Sequence, residues 1–254
     1  MTQPIVPPAA DPAGRHEIGA AAPAARPGEP AAYANATGMP PADSAAVTDL
    51  LGVLAHGALM GALRMAADAD LAPTLRLKAS MATLAFGEFR HYEDLARELQ
   101  GRGLDPDTAM QPFVAPFSAY HERTRPSDWL EALVKAYVGE GIARDFFREM
   151  ADFVDAAMGA TIAAVLADRD QAEFVVPLVQ AATATDPRVT GRLSLWGRRL
   201  LGEALSQAQA VAADRDALAN LLVSGEADLN RVGEMFARLR DRHQDRMRRL
   251  GLTP

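Results

Sequence analysis

The chain has no cysteine among its 254 residues, which excludes disulfides, thiolate metal sites and cysteine nucleophiles. Basic side chains are not in excess: 26 Lys and Arg stand against 33 Asp and Glu, a formal charge of -7. That balance speaks against a protein whose main task is gripping phosphate backbones, though it leaves room for a local basic face. No uninterrupted apolar run is long enough to cross a bilayer, and the first residues lack the basic-then-apolar layout of a signal peptide. The expected location is cytoplasmic, with no membrane partner. Gly-rich phosphate loops, G-x-S-x-G elbows, zinc motifs and a helix-turn-helix signature are also missing.

What remains is helical. Residues 1–43 are mostly Pro, Ala and Gly without a period, and read as a disordered tail with polyproline character. Residues 44–254 form one helical domain, because 49% of the residues are apolar and recur at helical spacing. The pattern predicts long helices near 45–68, 73–102, 127–154 and 156–184, with Pro73 in a first turn and Gly101 or Gly103 as a stop. A stretch broken by Pro106, Pro112 and Pro116 holds one short helix around Phe117 to Glu122. Ser127 or Asp128 caps the third long helix, and Pro177 bends or ends the fourth. Two or three further helices follow. No period-two strand and no fixed repeat occurs. The expected class is all-α, a four-helix bundle with additional C-terminal helices.

Bundles build metal sites from side chains that face inward. The di-iron version takes a Glu from each of two helices and a Glu-x-x-His from each of the other two. "FGEFRHYEDL" carries Glu88 and His91 one turn apart, on a line that also holds Met81, Leu84 and Leu95. Glu140 interrupts the apolar line Leu133, Ala136, Ala143, Phe147. Asp168 and Gln171 lie on the line Val165, Val175. The first helix has no acidic residue between Asp49 and Asp68, and Ala58 stands on its stripe. His56 points about 200 degrees away from Ala58 and faces another neighbour.

The runs "DLLGVLAHGAL", "GEFRHYEDL", "PSDWLEALVKAYVGEGIA", "LSLWGRRLLGEALSQAQ" and "MRRLGL" resemble the actinobacterial ferritin-like proteins. That group is related to the tRNA hydroxylase acting on 2-methylthio-N6-isopentenyladenosine. The resemblance spans roughly residues 47–251. It implies a ferritin-like bundle, an iron cofactor on a carboxylate-bridged centre, dioxygen-dependent hydroxylation and tRNA as partner. Glu88 and His91 match the second-helix ligands, Glu140 an acidic ligand, and Asp168 the first member of the last Glu-x-x-His. Gln171 stands on the His of that motif and Ala58 on the first-helix Glu. In an active centre Glu88 and Asp168 would bridge, with His91 and Glu140 terminal. With both departures, one divalent ion is better held than two, and activity is expected to be weak, changed or lost.

Two other readings compete. One is a non-catalytic bundle retained as a protein-interaction or structural module, as a homodimer through an exposed apolar face. The other places Glu140 and Asp168 as core carboxylates paired with Arg or His, since buried charges need partners, and lets Glu88 and His91 satisfy each other in the core. The basic stretch "RLRDRHQDRMRRLG" reads as an RNA-facing helix or, preferably, as a solvated face with Asp241 and Asp245 beside its arginines. Glu203 and Gln207, one turn apart, read as groups supporting the site residues or, preferably, as interhelix hydrogen bonds, and Trp129 and Trp196 as core anchors.

Overall fold

The computed structural model describes residues 44–166, 171–222 and 226–254; the tail expected over 1–43 lies outside them. Helix α1 (Ala45–Asp68) starts at Ser44, whose hydroxyl accepts from the Val47 amide at 3.3 Å. It pairs along its length with α2 (Leu75–Gly101). Thr74 caps α2 by accepting from the Leu77 amide, so Pro73 precedes the helix rather than opening it. Gly103, at φ 74, ends α2: its amide and that of Leu104 close onto the Gln100 and Leu99 carbonyls. Only glycine takes that left-handed position without strain.

The Pro-broken stretch forms α3 (Pro106–Met110) and α4 (Val114–Arg123), more helix than the sequence suggests. The third long helix is α5 (Trp129–Val134), a π-helical turn (Lys135–Gly139) and α6 (Glu140–Met150). Asp128 is its cap, accepting from the Glu131 amide at 2.9 Å. The fourth comes as two helices, α7 (Ala156–Val165) and α8 (Gln171–Thr185). Pro177 does not end α8, which runs on for two turns. Then come α9 (Pro187–Asp214), α10 (Asp216–Leu222) and α11 (Glu226–Arg249). Among the described residues there is no strand, and the class is all-α.

Two apolar clusters form the core. One joins Leu50, Leu51 and Leu54 of α1 to Leu95 and Leu99 of α2 and to Phe147 and Met150 of α6. The other joins Met81 and Ala85 to Leu133, Val175, Leu193 and Trp196. Each fully buried Leu or Phe contributes about 1.5–3 kcal/mol. Trp196 is anchored by its indole N–H, which donates to the Glu131 carbonyl at 3.0 Å, and Trp129 packs edge-on to Phe174. Residues Ala45–Leu71 are long and apolar enough to span a membrane, a property the run-length reading missed. Most of that segment is packed inside the bundle, with Val47, Leu50 and Leu51 at most 1% exposed, while Leu63 and Leu71 face outward.

The basic stretch lies on α11. Arg238 and Arg242 both donate to Glu149 of α6, and Arg246 donates to Asp145 at 2.6 Å. Both carboxylates are buried. These arginines therefore tie α11 to the bundle, while Arg248 pairs with Asp245 within its own helix.

Candidate functional site

The buried stripe of α2 reads Met81, Ala85, Glu88, His91, Leu95, Leu99. Helical spacing sets Glu88 and His91 side by side between the two core clusters. A carboxylate there must find donors. Glu88 has three. His91 Nδ1 lies 3.0 Å from its Oε2, Gln171 Nε2 donates to Oε1 at 3.3 Å, and the Arg144 guanidinium lies 3.9 Å from Oε1. The same guanidinium nitrogen donates to Gln171 Oε1. Glu88, Gln171 and Arg144 thus close a ring of polar contacts across α2, α8 and α6. With Nδ1 facing Glu88, the Nε2 of His91 is buried without a hydrogen-bond partner among the described residues.

Glu140 opens α6 directly after the π-helical turn, and Arg144 follows four residues on, on the same face. The Glu140 carboxyl leans on α1 at Gly61, where an added Cβ would lie 3.1 Å from Oε2. Burial pushes its pKa up to about 8, and the negative charge of Glu88 adds to this, while Arg144 and Lys135 oppose it. Among the described residues no hydrogen bond or ion pair reaches this carboxyl. Asp168 lies outside the described residues.

Glu88, His91, Glu140 and Arg144 border a cavity of about 410 Å³. Ala58, Glu88, His91, Glu140 and Arg144 line it, so Ala58 faces the candidate residues and offers no donor atom. The rest of the lining is chiefly aliphatic and aromatic, including Leu54, Phe117, Phe147, Leu201 and Phe236. Among the described residues, no group of three His, Asp or Glu is placed to hold a metal ion.

Three contributors escape the sequence reading. Arg144 does, although a residue four after Glu140 shares its face. Tyr120 and His121 of α4 also line the cavity. Burial lowers the His121 pKa to about 3, helped by the cations Lys135 and Arg64. His56 lies outside the cavity, edge-on to Phe117 with ring centroids 5.2 Å apart. Glu203 and Gln207 serve α4: Glu203 pairs with Arg123 at 3.6 Å, and the Gln207 amide, oriented with nitrogen toward the Pro116 carbonyl, accepts from Arg123.

An all-helical bundle with inward-facing carboxylates and imidazole at its middle is the ferritin-like class of architecture. The family model described as a ferritin-like domain of actinomycetes matches residues 42–225, and the chain belongs to that family. No match was found among curated proteins.

Proposed function

We propose that this ferritin-like bundle works without a metal centre and binds a small, largely apolar molecule in its central cavity. The observation that supports this is the Arg144 guanidinium standing between Glu88 and Gln171 at the polar end of that cavity. A two-metal centre needs carboxylates and imidazoles with open lone pairs. Here Ala58 supplies none, and the oxygen of Gln171 already accepts from Arg144. Any divalent ion approaching Glu88 has to displace the Arg144 cation and the nitrogen contacts from His91 and Gln171. The described residues therefore do not fit a di-iron centre. The cavity itself is of the size and apolar character that small-molecule sites share.

The test is binding of the fluorescent apolar probe N-phenyl-1-naphthylamine to the full chain. The probe binds with micromolar affinity, and Ala58→Phe, which fills the cavity, abolishes binding while leaving the helical circular dichroism intact. Unchanged binding by the filled variant would move the site elsewhere.

The second reading is the iron-dependent, tRNA-hydroxylase-like oxygenase that the resemblance implies. The buried Glu88–His91 pair with its bare Nε2 favours it. In that reading Glu88, His91, Glu140 and Asp168 hold one iron, which would supply the dioxygen chemistry, and the cavity takes the isopentenyl group of a tRNA base. Iron content after expression with added iron separates the two.

A further inference from the structure

We infer that the molecule held in this cavity is a long aliphatic chain with one polar end, laid along the bundle axis, and that the cavity measures it to about thirteen carbons. This rests on the ligand-binding reading above. Three helices set the direction. The charged lining groups Glu88, Glu140 and Arg144 stand at one end, beside Ala58, and the Glu140 carboxyl meets α1 there at Gly61. From that end the lining runs back from Ala58 to Leu50 on α1, and forward from Glu140 to Met150 on α6 and from Leu201 to Ala212 on α9. The far ends meet: Arg215, just past α9, donates to Asp49 near the start of α1 at 3.0 Å. Leu50 and Met150 belong to one apolar cluster.

The stretches on α6 and α9, at about 1.5 Å of rise per residue, make the cavity about 15–17 Å long. Its far end is bounded by Leu50, Met150, Val211, Ala212 and Leu218, all apolar. A cavity with its charged groups gathered at one end suits a molecule built the same way. A compact ring would leave much of that length empty, and the lining would lose its contacts there. An extended chain advances about 1.25 Å per carbon, from C–C bonds of about 1.5 Å at a tetrahedral angle, so about thirteen carbons span the length. Each CH₂ buried along the way adds affinity, and any beyond the far end adds none.

A series of unbranched alcohols from hexan-1-ol to hexadecan-1-ol, each displacing N-phenyl-1-naphthylamine from the full chain, carries the test. Affinity should rise about fourfold per added CH₂, the factor that about 0.8 kcal/mol represents, and level off between dodecan-1-ol and tetradecan-1-ol. Ala212→Phe shortens the far end and should weaken tetradecan-1-ol at least about tenfold while hexan-1-ol competes as before. Leu218→Trp, from α10 at the same end, should act in the same way. Levelling off by decan-1-ol, or a rise that continues to hexadecan-1-ol, overturns the inference. So does a pair of variants that weaken every length alike or none. The wild-type series alone decides the length if both variants fail to fold. Absence of probe binding altogether would instead remove the ligand-binding reading, and this inference with it.

Discussion

Arg144 and Glu88 stand 3.9 Å apart across the centre of the bundle, and both side chains are close to nine-tenths buried. One nitrogen of that guanidinium also donates to Gln171, which donates in turn to Glu88. The charge of the carboxylate is thereby answered from within the chain.

Removing the cation leaves Glu88 buried with only His91 and Gln171 beside it. Arg144→Met should therefore destabilise the fold by about 3–5 kcal/mol, the usual result of breaking a buried pair from one side. Adding Glu88→Gln should recover part of the loss, because no uncompensated charge remains. Urea unfolding of the two variants measures both effects; equal stability of Arg144→Met and wild type would show that Glu88 needs no counter-charge.

Two buried histidines set a dependence on acid. His121 and His243 have pKa values lowered by burial to about 3 and about 4, from an ordinary 6.5; nearby cations, Lys135 for His121 and Arg246 for His243, add to it. Below 6.5 the unfolded chain takes up protons that the folded chain refuses. Stability should be fully present above about pH 6.5 and fall as pH drops toward 4. The melting temperature of His243→Gln should fall less steeply over that window than that of wild type. Parallel curves would mean that His243 does not contribute.

Glu149 receives Arg238 and Arg242 from α11 and is itself buried. Glu149→Ala should loosen α11 and cost on the order of 1–3 kcal/mol, the partial exposure of both arginines limiting the effect. Hydrogen exchange along α11 should quicken more than along α1. If the variant instead weakened RNA binding with no change in exchange, the arginines would be serving a nucleic acid rather than α6.

Much of this fold is legible in the spacing of apolar residues. The lines through Met81 and Leu95 and through Leu133 and Phe147 mark buried faces because helical period and burial coincide there. The boundaries are less visible: Thr74 takes the cap next to Pro73, and α8 carries Pro177 in its interior. Nothing in "LVKAYVGEG" signals a π-helical turn, since its extra residue per turn is fixed by tertiary packing. At the site, Glu88 and His91 announce themselves as polar residues on an apolar stripe. Arg144 does not, because beside Glu140 it reads as an ordinary surface pair four residues apart. Its reach to Gln171 depends on how α6 and α8 pack, which no local pattern records. Gly61 is also silent, though its missing side chain makes room for Glu140.

The most direct test is anaerobic titration of the full wild-type chain with ferrous iron, read by metal content after desalting and by thermal shift, beside Arg144→Ala. A metal that binds only the folded state raises its apparent stability, so uptake and shift must agree. The account predicts no stoichiometric iron and no shift in wild type, with uptake emerging only once the guanidinium is gone. One or two irons per wild-type chain, with a matching rise in melting temperature, would contradict it.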